Sequence, residues 1–141
     1  AQKLFEKLSI TGDDIDECAL HQSSFIAPFA VAKELELDFI KKVHPNLLTL
    51  QVGDCGAASC LLSLASIFDR SQKGQRILLG SYGYGAGSDF FLLKTEDAIE
   101  QYSNKIRTTN DLINDKIMLD YGTAQKYEQK YIRGNLITGN L

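Results

Sequence analysis

What this sequence lacks removes several classes of protein. No apolar run approaches the roughly 20 residues of a membrane-spanning helix, so a membrane partner is not expected. Positive charge is not in excess: 15 Lys and Arg against 18 Asp and Glu leave a net charge of -3. No general field therefore draws nucleic acid to the chain. The basic residues are scattered, and the one adjacent pair, Lys41-Lys42, reads as a solvated helix end. The three cysteines, Cys18, Cys55 and Cys60, have no C-x-x-C spacing and no paired histidines. That argues against a structural zinc site and for a reducing compartment, so the expected location is the cytoplasm. A Gly-Lys-Ser/Thr phosphate loop is missing, and so are repeats and low-complexity tracts. The opening Ala1–Leu8 reads as an amphipathic helix rather than a signal peptide.

What remains is a chain of 141 residues, 44% hydrophobic, long enough to bury a core. Gln2 to Leu8 is predicted helical, and Ile15 to Leu20 reads as a short strand ending at His21. Phe25 to Leu37 has helical spacing, with Pro28 tolerated in the first turn. After the break at Pro45-Asn46, Leu47 to Val52 is expected to be a second strand, and Gly53-Asp54-Cys55-Gly56 a sharp turn. Ala57 to Phe68 reads as a helix apolar almost all round, which implies burial on most sides. Strands over 76–81 and 89–95 follow, and Glu96 to Leu141 is polar and predicted helical. The order implies a mixed sheet with a central helix layered over it, divided as 1–95 and a helical extension 96–141. A helix apolar all round needs a second layer outside it, and this chain scarcely supplies one. It reads as half of something.

Between the last two strands lies "GSYGYGAGSDFF", with Gly80, Gly83, Gly85 and Gly87. A strand follows it, not a helix, so it is not a dinucleotide-binding fingerprint, and taken alone it reads as a hairpin turn. His21 alone reads as a hydrogen-bonded strand-end residue. Asp54 alone reads as a helix N-cap. Cys55 near a helix start could be a nucleophile, yet a small buried thiol is the simpler expectation. Taken together, His21, Asp54 and the glycine loop each follow a predicted strand, and strand ends on one sheet edge are where ligands bind.

Four segments carry a family resemblance that runs from about Gln2 to Gly134. "LHQSSFIAPFAVAKELEL" resembles a histidine segment, "VGDCGAASCLLSLASIFD" a Gly-Asn-Thr-Gly-Ser-Ala segment with its central helix, and "RILLGSYGYGAGSDFF" a glycine loop. "MLDYGTAQKYEQKYIRG" is similar to a C-terminal tail. The family is that of thiolase-fold condensing enzymes, and the chain is most like the C-terminal half of archaeal-type 3-hydroxy-3-methylglutaryl-CoA synthases. Ketoacyl carrier-protein synthase III is the wider alternative within the fold. The resemblance implies an α/β, thiolase-like half with a buried central helix and a helical tail. It implies Claisen-type condensation of acyl-CoA thioesters, with acyl-CoA as substrate and no further cofactor or metal. It makes His21 the catalytic residue and Asp54, Tyr84 and Gly85 substrate-binding, the Tyr84 backbone N–H meeting an oxyanion. The nucleophilic Cys and a general-base Glu belong to the family's N-terminal half. The implied partners are therefore that half or a subunit carrying it, in a homo- or hetero-oligomer, with a thiolase and an OB-fold adaptor.

The sequence also departs from the family. Ser23-Ser24 stand for Pro-Asn, Ile26 for a substrate-binding Lys, Ala30 for an Arg, Asp54 for Asn, and Tyr84 for a loop Ser. None of the three cysteines falls at the nucleophile position. Two functions are therefore carried forward: part of a condensing acyltransferase, or a non-catalytic, synthase-like interaction module.

Overall fold

A computed structural model describes residues 1–83, 87–103 and 107–128. Helix α1 (Gln2–Leu8) forms as the sequence predicts, buries Phe5, and ends where Ser9 takes a left-handed conformation. The chain then passes through a short 3₁₀ turn, Gly12–Asp14, closed by a capping box between Thr11 and Asp14. Gly12 is needed there for space. A Cβ at this position would lie 2.6 Å from the Glu36 carbonyl oxygen and 2.7 Å from that of Leu35, and backbone atoms cannot step aside. Lys42, expected as a solvated helix end, instead donates from Nζ to the Gly12 carbonyl at 2.8 Å.

Strand β1 (Glu17–Leu20) leads into helix α2 (Ile26–Glu34). Helix α2 stops short of the predicted Leu37, because the chain turns left-handed at Glu36. Strands β2 (Arg76–Tyr82) and β3 (Ser88–Lys94) come later. Among the described residues the sheet has three strands in the order β1-β2-β3. β1 runs parallel to β2, with Leu20 beside Gly80. β3 returns antiparallel, with Tyr82 beside Ser88.

Alternation along the strands makes two cores. Cys18, Leu20 and Leu78 face α1 and α2, where Phe5, Ala32 and Leu35 close over them. Ala19 and Ile77 face helix α4 (Ser59–Phe68) and pack on Ile67. Each fully buried Leu or Ile contributes about 1.5–3 kcal/mol relative to exposure. The mixed α/β layering read from the sequence is therefore the observed one.

Two expectations fail here. Leu47 to Val52 is not a strand: Leu47 and Leu48 are buried, and Thr49–Val52 is a single helical turn, α3. Its backbone bonds go elsewhere, since Thr49 N–H donates to Gln22 Oε1 at 3.1 Å. Apolar content alone could not separate a buried turn from a strand. Helix α4 is also not buried on most sides. Ser59, Cys60, Ser63 and Ile67 are buried, but Leu61 is 58% exposed, and Ala57, Ala58 and Ala65 lie open as well. The sheet covers one side of the helix and the later helix Thr109–Asn114 touches part of another, and among the described residues no full second layer covers the rest.

Beyond the sheet, α5 (Ala98–Ser103), α6 (Thr109–Asn114) and α7 (Tyr121–Tyr127) are short. Thr108 and Asp111 form a capping box on α6, and the Thr108 hydroxyl and N–H hold the Asp111 carboxyl below its ordinary 3.8. Asp69, at the end of α4, accepts the Thr109 N–H and ties α6 to the sheet's helix layer. Of the tail expected to be helical, residues 129–141 lie outside the described residues, as do 104–106.

Candidate functional site

Parallel pairing puts the C-terminal ends of β1 and β2 side by side, so the residue leaving β1 meets the residues leaving β2. His21 donates its backbone N–H to the Gly80 carbonyl at 2.9 Å. Its imidazole meets the Tyr82 ring edge-on, with centroids 5.9 Å apart. Its Nδ1 is buried and has no hydrogen-bond partner. Such an atom is costly unless something completes it.

The ring borders a cavity of about 310 Å³ between α2 and the tips of β2 and β3. Leu20, Pro28, Val31 and Phe90 supply its apolar walls, and Ser81 and Tyr82 bring hydroxyls. Gly80 lies under it. A Cβ there would sit 2.6 Å from a Phe90 ring carbon and 2.9 Å from a Leu20 methyl, so this first glycine of the loop makes room for the cavity wall itself.

Asp54 does not line this cavity. It lies exposed in the turn between α3 and α4, where Oδ1 accepts the Gly56 N–H at 2.8 Å, and Gly53 and Gly56 take positive φ angles of 81° and 55°. This is an Asx turn rather than the helix N-cap expected: Cys55 is the residue before the short 3₁₀ turn Gly56–Ala58, Ala58 the residue before α4, and neither end has a side-chain cap. Tyr84 and Gly85 fall outside the described residues. The structure thus unites His21 with the strand that feeds the glycine loop and leaves Asp54 apart from them.

Sequence reasoning missed the residues that hold His21 in place. Gln22 is buried and bonded on every side. Its N–H donates to Ser59 Oγ at 3.0 Å, its Nε2 to the Asn46 carbonyl at 2.7 Å, and its oxygens accept from Thr49. Asn46 is buried too and donates from Nδ2 to Glu17 Oε2 at 2.8 Å, while Arg70 donates to both Asn46 and Glu17. A polar Gln two residues past the end of a buried strand was the available signal.

The thiols separate cleanly. Cys55 is exposed, not buried as expected, because it sits in the outward turn beside Asp54. Cys18 and Cys60 are buried. Burial pushes the Cys18 thiol up from 9.0 to about 12. Its folded value lies above its unfolded one, so the stability tied to a neutral thiol is complete below pH 9 and is lost as pH rises towards 12. The loss has a slope of at most about 1.4 kcal/mol per pH unit. Urea midpoints are expected to fall across that range more steeply for the parent chain than for Cys18→Ala. Equal slopes would mean that Cys18 ionises in the folded chain as freely as in water. Among the described residues, no group of His, Cys, Asp or Glu is placed to hold a metal ion, and no helix is long and apolar enough to cross a membrane.

Comparison with known proteins bears on this arrangement. No protein-family model matches the chain. The hydroxymethylglutaryl-CoA synthase of Thermococcus onnurineus is 36% identical over 132 residues, which is 94% of this chain and 37% of that protein. That of Methanosarcina barkeri is 34% identical over 134 residues, 94% of this chain and 38% of that protein. Among solved structures, the HMG synthase of the curacin biosynthetic pathway, in complex with acetyl donor-ACP, superimposes with a TM-score of 0.62 at 25% identity. That match covers 82% of this chain and 31% of the other. The chain therefore spans little more than a third of the length of the curated relatives it matches. Its α/β layers have the thiolase-like architecture of an HMG synthase, and over nearly its whole length this chain is similar to a part of the hydroxymethylglutaryl-CoA synthases, mostly archaeal ones.

Proposed function

We propose that this chain is the C-terminal part of a hydroxymethylglutaryl-CoA synthase-like acyltransferase, which condenses acyl thioesters and completes its site with a portion carrying the nucleophilic Cys. The observation that carries the reading is the position of His21, at the end of β1 with an uncommitted buried nitrogen beside a cavity. In the proposed reaction a thiolate from the completing portion attacks a thioester carbonyl, and the acyl group passes to it as the carrier thiolate leaves. A base, also from that portion, removes an α proton from one thioester, and the resulting enolate attacks the carbonyl of the other. A carbon–carbon bond forms at the ketone carbonyl of that second thioester, and its π electrons move onto oxygen. His21 donates to that oxygen as its charge grows, and the backbone N–H of Tyr84 is assigned the oxyanion formed at the thiolate-bound carbon. Water then cleaves the thioester to the completing portion, freeing its thiol. Asp54 takes the place of a family Asn and serves by closing the Asx turn to Gly56 ahead of α4. The acyl carrier is CoA or, as in the curacin enzyme's complex, a carrier protein, and a thiolase and an OB-fold adaptor are the proposed companions in the cytoplasm.

The open face of α4 supports the same reading. Ala57, Leu61 and Ala65 recur at one-turn spacing and present small and apolar side chains to solvent. That face is where the completing portion is proposed to seat. A second reading, a non-catalytic synthase-like subunit, is favoured by one observation. Ile26 and Ala30, which replace a family Lys and Arg, are both exposed on α2, so two cations are absent where a polyanionic carrier would approach.

The experiment is co-expression with a synthase portion that bears the Cys and Glu, followed by an assay of condensation between acetyl and acetoacetyl thioesters. A stable complex that turns over is expected. A stable complex without turnover would select the non-catalytic reading, and absence of both would overturn the two together.

A further inference from the structure

The reading above leaves the acyl group undefined, and the cavity beside His21 constrains it. The side chains around it bring an imidazole, hydroxyls and apolar walls, and among the described residues no Asp, Glu, Lys or Arg lines it. Asp89, the nearest acid along β3, alternates with the cavity-facing Ser88 and Phe90 and is exposed. A carboxylate entering this space would lose its hydration and meet no cation, which is costly unless the charge is paired. An alkyl chain would lose only unfavourable contact with water, and each methylene it buries tightens binding by about fourfold. The volume, about 310 Å³, falls at the lower end of small-molecule sites, which begin near 300 Å³, and exceeds what an acetyl group fills. His21, the residue of the lining with a ring N–H, supplies the polar anchor that a thioester carbonyl would accept from.

We propose that this cavity seats a neutral, apolar acyl chain longer than acetyl, with its thioester carbonyl at His21, and that it rejects acyl groups ending in a carboxylate. The proposal rests on the condensing reading for the word thioester. The cavity's preference between neutral and charged chains is a property of the chain itself.

Binding is measured by titration calorimetry on the full chain in the assembly in which it purifies. The probes are the N-acetylcysteamine thioesters of acetate, butyrate, hexanoate and succinate. Butyryl is expected to bind about fifteenfold more tightly than acetyl, from two buried methylenes. Succinyl, similar in length but charged, is expected to bind at least about tenfold more weakly than butyryl. Ala27→Phe places a ring at the cavity lining from an exposed position, so folding should be kept while the dependence on chain length is lost. Equal affinity for succinyl and butyryl, no gain with chain length, survival of the gain in Ala27→Phe, or no binding of any probe would each overturn the proposal. Turnover is a separate readout. Butyryl selectivity without condensation would leave the cavity proposal standing and remove the condensing one, and condensation that prefers succinyl would do the reverse.

Discussion

His21→Ala is expected to lower the condensation rate of the completed assembly by roughly 10²–10⁴-fold, the usual contribution of a positioned proton donor. Acyl loading onto the nucleophilic thiol should fall far less, because that half-reaction develops its charge on a carbonyl held elsewhere. The split matters more than the size. His21 also donates its backbone N–H to Gly80, and the alanine variant keeps that bond. The Tyr82 edge contact is lost, yet the ring is only half-buried, so the melting point should move little. A variant that folds normally and loses condensation alone would place the imidazole at the reacting carbonyl. A variant that loses both half-reactions equally, or that melts early, would make His21 a structural residue and remove the observation on which the proposed function stands. Asp54→Asn gives a useful contrast. Its Oδ1 accepts only the Gly56 N–H among the bonds seen, and an Asn side chain forms the same Asx turn, so this variant should be close to silent in stability.

Much of this arrangement was legible in the sequence because it obeys local rules. The strands β2 and β3 and the α1 helix follow from apolar periodicity. The place of His21 at a strand end followed from the same pattern. Leu47 to Val52 was misread because a short apolar run has no period of its own. What decides its form is Gln22, which lies more than twenty residues away in the chain and takes the Thr49 N–H. The α4 helix was misread in the opposite direction. Its composition describes a helix with neighbours on both sides, and the described residues cover mainly the side that meets the sheet. The polar support behind His21 was invisible because Glu17, Asn46 and Arg70 are distant in sequence and individually ordinary. Only the fold gives them a common position.

Asn46→Ala is expected to cost about 2–5 kcal/mol of stability, as much as truncating a buried apolar core residue. Asn46 is 1% exposed, and its side chain makes three hydrogen bonds. Nδ2 donates to Glu17 Oε2 at 2.8 Å and to the Lys42 carbonyl at 3.0 Å, and Oδ1 accepts from Arg70. Alanine leaves the two acceptors without that donor and the guanidinium with less to bind. Each group so stranded away from water costs about 1–3 kcal/mol. The Arg70–Glu17 ion pair at 3.1 Å remains, but Arg70 is 42% exposed, so its contribution is small after solvent screening. The Asn46 backbone carbonyl is untouched and still accepts from Gln22 Nε2 at 2.7 Å and Ser63 Oγ at 3.0 Å. The strand exit at His21 should therefore survive in the molecules that remain folded, and their condensation rate should stay near that of the parent. Arg70→Met alone should cost less, because it strands only one buried acceptor, and the double variant should fall short of the sum. Urea melts of the three variants, with activity corrected for the folded fraction, check this directly. An Asn46→Ala midpoint unchanged from the parent would mean that water replaces the lost donor, and strict additivity with Arg70→Met would mean that the two residues do not act through a shared contact.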